Sequence, residues 1–181
     1  MAAMRQTSFS GFHCSLARAL EVMGDWWTPL ILRDLHLGVD RFDDLVTDLG
    51  ISRNLLATRL GELVADGIVE RVRYSEHPPR DRYVLDRPGL DLVPILAALT
   101  AWGDRWQTPA GGPPVTFRHS DHRCTPTVSC SSCSEVLTSE NLDIRPGPGG
   151  RKAAGTMVVS ERLASRTRRS DRRLRSDSRL K

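Results

Sequence analysis

Between Gly50 and Leu85 the sequence changes period twice with almost no room to do so. Ser52 is a good helix N-cap. The residues behind it place Leu56, Leu60, Leu63 and Val64 on one face at helical spacing. Asp66-Gly67 then breaks the helix, IVERVRY (Ile68 to Tyr74) reads as a strand, SEHPPRD as its turn and RYVL as the returning strand. A helix joined so tightly to a hairpin restricts the chain to a few small architectures.

The flanking segments are helical in pattern. SLARALEVMG aligns Leu16, Ala19, Leu20 and Met23, and Gly24 ends that helix. WWTPLILRDLHLG resumes helix, with Pro29 tolerable only in its first turn, and stops at Gly38. RFDDLVTDLG gives a short helix carrying Phe42, Leu45, Val46 and Leu49, ended by Gly50. After the hairpin, PGLDLVPILAALTAWGDRW closes the region as a long helix whose first half Pro94 should weaken.

Three regions follow. Residues 14–107 form the periodic, core-building part, a mainly α domain with a β-hairpin. Gln107 to Thr116 is a Pro/Gly linker by composition. Residues 117–150 hold Cys124, Cys130 and Cys133, and residues 151–181 are an Arg-rich tail expected to be disordered. Of the formal net charge of +4, the tail's eleven Lys/Arg against three acids supply +8, so residues 1–150 carry −4. The basic pI is therefore a property of the tail and says nothing about what the folded part binds. Hydrophobic content of 39% and charged content of 27% are those of a soluble globular protein. No apolar run is long enough to span a bilayer and no secretory h-region opens the chain, so a cytoplasmic location without membrane partner is expected.

Two helices, a short helix, a tight turn, a capped helix and a hairpin is the order of a helix-turn-helix domain with a wing. In such domains the second helix of the pair enters the major groove and its first residues meet base edges. With Leu56, Leu60, Leu63 and Val64 buried, Asn54 and Thr58 point away from the core and Arg59 flanks it, while Ser52 and Arg53 occupy the helix start, and all five are candidates for DNA contact. Arginine and asparagine can contact guanine and adenine bidentately. Arg71, Arg73, Arg80 and Arg82 put cations on the hairpin, where phosphate contacts would need them.

These residues give the chain a family likeness. The stretch from Cys14 to Trp106 resembles the HxlR-type winged helix-turn-helix transcriptional regulators. Its landmarks are Cys14, Gly24-Asp25-Trp26-Trp27-Thr28, Ile31-Leu32-Arg33, Arg41-Phe42, Gly50-Ile51-Ser52, Leu56, Arg59-Leu60, Leu63 and Gly67-Ile68-Val69-Glu70-Arg71. They continue through Tyr74, Pro78-Pro79, Tyr83, Leu85, Gly89 and Trp102-Gly103. The resemblance implies a homodimer on double-stranded DNA, each recognition helix in one half-site and the terminal helices pairing the protomers. Two positions depart from the family's pattern, Ser15 and Arg53, where proline is usual or frequent.

Cys14 corresponds to the family's N-terminal cysteine, which in some members is a reactive thiol; the other reading is a small buried residue at the dimer contact. CSSC, Cys130 to Cys133, has the spacing of a zinc knuckle, and Cys124, His122 or His119 could complete a zinc site. A degenerate zinc-ribbon remnant is the alternative. No nucleophile–base set or phosphate loop stands out, so no enzyme is expected. The competing classes are a DNA-binding regulator, with a small-molecule or redox effector, and a zinc-ribbon interaction adaptor or thiol sensor for which DNA binding is secondary.

Overall fold

The computed structural model describes residues 8–165, in two compact units: residues 24–137, and residues 8–23 together with 138–165. In the larger unit α2 (Trp27–His36) starts where Asp25 Oδ1 accepts the backbone N–H groups of Trp27 (2.8 Å) and Thr28 (2.9 Å). Pro29 sits in the first turn, where its missing N–H has no intrahelical partner to lose. Ile31, Leu32 and Leu35 form the inner face of α2 and meet Leu45 of α3 (Phe42–Leu49). Gly50 ends α3 in the left-handed region, at φ 63°, with its N–H on the Val46 carbonyl. That turn buries Ile51 and lets α4 (Arg53–Ala65) begin three residues after Gly50, at a Ser52 cap whose Oγ accepts from Leu55 N–H.

Leu56, Leu60 and Leu63 of α4 are buried as the periodicity requires, but Val64 is 37% exposed. It stands one helical step, about 100°, beyond Leu63 and at the edge of the stripe. Gly67 (φ 68°) turns the chain into β1 (Val69–Glu76), which pairs antiparallel with β2 (Pro79–Leu85). The hairpin is longer than its sequence implies. Ser75 pairs with Arg80 and Glu76 with Pro79, so only His77 and Pro78 make the turn in place of the whole SEHPPRD stretch. Arg41 adds a further bridge to Arg82, and Tyr83 N–H donates to the Asp40 carbonyl (2.8 Å), so β2 is flanked on both edges.

α5 (Arg87–Trp106) starts at an Asp86 cap and runs unbroken through Pro94. The carbonyl that proline leaves without a helical donor belongs to Leu90, which is exposed, so water can satisfy it. Gly89 lies where a methyl group would stand 2.4 Å from the Ile68 carbonyl oxygen, and this close approach packs α5 against the start of β1. Beyond it come a small hairpin, β3 (Phe117–His119) and β4 (His122–Cys124), and a turn at Cys130–Cys133 closed by a Ser129–Val136 bridge.

The smaller unit contains α1 (Ser15–Met23). Its N-terminal approach is tied to the loop 149–154: His13 N–H donates to the Ala154 carbonyl (2.9 Å) and His13 Nε2 to the Gly149 carbonyl (2.6 Å). Residues 157–165 form a helix, α6, contrary to the expected disorder from residue 151. Its local apolar content (Met157, Val158, Val159, Leu163) is diluted by the Arg/Ser-rich composition around it. The rest of that expected tail, 166–181, lies outside the described residues.

Candidate nucleic-acid interface

The exposed surface at the start of α4 carries Arg53, Asn54 and Thr58. Thr58 Oγ1 donates to the Asn54 carbonyl (3.0 Å), so the residue offers its methyl group and acceptor lone pairs outward, not its proton. Arg53 folds back over the Phe42 ring (5.0 Å) and pairs with Asp43 (2.7 Å). Both charged groups are exposed, so this pair is a weak latch that a phosphate can replace.

Arg59 behaves differently. Its side chain is 18% exposed and pairs with Asp25, itself 13% exposed, and with Glu62 (2.7 Å). Asp25 thus caps α2 through one oxygen and holds α4 through the other. At the flank of the core, Arg59 is a strut between two helices, engaged by Asp25 and Glu62 although its helix position makes it a candidate for DNA contact.

In the wing, strand register puts Arg71, Arg73, Asp81 and Tyr83 on one face. Arg71 Nε (2.7 Å) and Arg73 Nε (3.1 Å) both donate to the half-buried Asp81 carboxylate. Those two hydrogen bonds, that from Arg71 first, hold the Asp81 carboxyl below the usual carboxylate range. Among the described residues no acid pairs with Arg80 or Arg82, both exposed. Arg41 lies over the Tyr74 ring (5.3 Å). A cleft of about 530 Å³ separates the starts of α3 and α4 from the wing tip, with Arg53 and Arg80 among its walls. Asp81, Asp25, Arg41 and Tyr74 were not singled out from sequence as site residues. Asp81 could have been found by writing out the hairpin register, which sets it opposite Arg73.

Residues 22–110 match the model of the HxlR-like helix-turn-helix family. An uncharacterized HTH-type transcriptional regulator of Mycobacterium tuberculosis, Rv3095, is 42% identical over 139 residues, 75% of this chain and 87% of the relative. The chain belongs to the HxlR-like helix-turn-helix family. Its similarity to Rv3095 is longer than the matched domain, so it extends outside residues 22–110. The crystal structure of PA1607, a candidate transcription factor, superposes with a TM-score of 0.67 at 30% identity, covering 78% of this chain and all of that one. A second candidate transcription factor, PA1374 of Pseudomonas aeruginosa, gives 0.53 at 33% identity over 77% and 96%. The protein is a transcriptional regulator with a helix-turn-helix DNA-binding domain, and no helix among the described residues is long and apolar enough to cross a membrane.

No cysteine lines this cleft. Cys14 is half-buried at the start of α1, where its carbonyl accepts the Arg18 N–H. Cys124 ends β4 opposite Phe117, and Cys130 and Cys133 bound their own turn. Backbone N–H groups of Ser132 and Cys133 push the Cys130 thiol below its ordinary range. Among the described residues no three His, Cys, Asp or Glu side chains are grouped to hold a metal ion.

Proposed function

We propose that this regulator binds specific DNA sequences as a homodimer, with α4 in the major groove and the hairpin wing along the adjacent backbone. The observation that carries this reading is the surface at the start of α4. Ser52, Arg53, Asn54 and Thr58 are exposed together there, and Arg80 of the wing faces Arg53 across one cleft. Asn54 and Thr58 supply base-edge chemistry without a fixed charge, and Arg80 and Arg82 supply phosphate contacts.

The dimer rests on a second feature. Ile95, Leu99, Trp102 and Trp106 recur along α5 at helical spacing and are all more than half exposed, whereas Leu92 and Leu96 turn partly inward. Leu16 and Leu20 of α1 are likewise exposed. An exposed apolar stripe such as that on α5 marks an interaction face. Footprinting on the DNA upstream of its own gene tests both parts. Two protected half-sites about one helical turn apart, or a multiple of that spacing, are expected; a single short footprint would contradict the dimer.

A further inference from the structure

Residues 128–137 fold back on themselves as a short, closely tied loop. Leu137 N–H donates to the Val128 carbonyl (2.9 Å), Ser129 bridges Val136, and Cys130 N–H donates to the Glu135 carbonyl (2.8 Å). At the tip, Ser134 N–H donates to the Cys130 carbonyl (2.8 Å), which closes a single helical turn over Cys130–Ser134. Ser134 then leads the chain out of that turn in the left-handed region, at φ 60°, a conformation uncommon for a residue with a Cβ. Residues three apart in a helical turn share a face. Their Cα atoms are about 5 Å apart by helical geometry, inside the roughly 4.4–6.8 Å that a disulfide spans.

The two thiols of this turn meet. The Cys130 sulfur accepts from the backbone N–H groups of Ser132 and Cys133 and from the Cys133 thiol, and all three donors favour the thiolate at Cys130. Cys130 is half-buried and Cys133 exposed, and the small, exposed Ser131 and Ser132 between them leave the pair open to solvent. A stabilised thiolate with a second thiol hydrogen-bonded to it is suited to thiol–disulfide exchange. We infer that Cys130 and Cys133 are a dithiol that closes to a disulfide by exchange with a small-molecule disulfide. The Cys130 sulfur attacks one sulfur of the reagent, forming a mixed disulfide and releasing one thiolate. Cys133 then gives its proton to solvent and attacks the Cys130 sulfur, releasing the second thiolate. The protein loses two electrons and two protons, and the reagent is reduced to two thiols. The meaning of this step as a signal rests on the regulator reading above; the chemistry does not.

Oxidised glutathione added to the reduced full chain, followed by mass spectrometry with peptide mapping, tests this without DNA. In the parent, both thiols of the turn should disappear and no glutathione should remain on either cysteine. Cys133→Ser removes the second attack and should hold one glutathione at Cys130. Cys130→Ser should react at Cys133 about tenfold more slowly than Cys133→Ser reacts at Cys130 at pH 7. Melting of both variants near that of the parent would show that unfolding is not the cause. A glutathione adduct that persists on the parent, or equal rates for the two variants, would overturn the proposal. Thiols that react only after a chelator is added would overturn it too, by making the pair metal ligands. Because no DNA is present, loss of the regulator reading would not alter this result.

Discussion

Near the start of α4 the outward Asn54 and Thr58 are polar and uncharged, and the next arginine, Arg59, is drawn into the fold. In the wing the outward side chains are cations, and two of the four are held by a single aspartate. The difference shows that counting arginines overstates the number of phosphate contacts. Arg59 and Arg73 fall on the DNA-facing elements by sequence position, yet Asp25 and Asp81 engage them before any ligand arrives. The side chains left available divide the work: α4 for base discrimination, the wing for affinity.

The largest effect should come from removing what holds α4 in place. Leu60→Ala should reduce stability by about 2–5 kcal/mol in urea unfolding, because Leu60 is buried, whereas Val64→Ala at the helix edge should stay within about 0.5 kcal/mol. Equal losses would mean that the buried face of α4 is misassigned.

Asp25→Ala removes a helix cap and one partner of a mostly buried ion pair, and should cost about 1–3 kcal/mol. Asp25→Asn keeps the capping oxygen and should recover part of this in the same assay. A variant as stable as the parent would show that Arg59 is not a strut.

On the wing the effects are smaller and are read in DNA affinity. Arg80→Ala should weaken binding to every duplex by similar factors and flatten the logarithmic salt slope by about one unit. Asp81→Ala should do the opposite, releasing Arg71 and Arg73 and steepening the slope. If Asp81→Ala left the slope unchanged, the two arginines would already be contributing fully.

The smallest effect concerns pH. Burial pushes the Asp34 carboxyl above its usual range against the opposing pull of Arg33. A group raised on folding contributes stability that is complete below its unfolded value, about 3.9, and lost as pH rises through the folded value. Asp34→Asn should therefore gain melting temperature relative to the parent as pH increases from 4 toward 7. A constant difference across that range would contradict this assignment.

Much of the architecture was legible because short-range rules agree along the chain. Gly50, Ser52 and Gly67 mark turns that the hydrophobic period independently requires, and the family likeness runs through the same positions. What escaped depends on contacts between elements. The inward turn of Arg59 requires Asp25 to be near it in space, though 34 positions away in sequence. The Arg41–Arg82 bridge joins a loop residue to a strand that no local pattern links to it. Pro94 reads as a helix breaker by rule, but the exposure of Leu90 removes most of the penalty.

The central claim is that α4 reads bases, and fluorescence anisotropy of Asn54→Ala and Thr58→Ala on cognate and scrambled duplexes tests it most directly. Each substitution should cost about 1–3 kcal/mol on the cognate site and much less on the scrambled one. Equal losses on both duplexes would show that these side chains do not discriminate sequence, and the assignment of α4 as the recognition helix would fail.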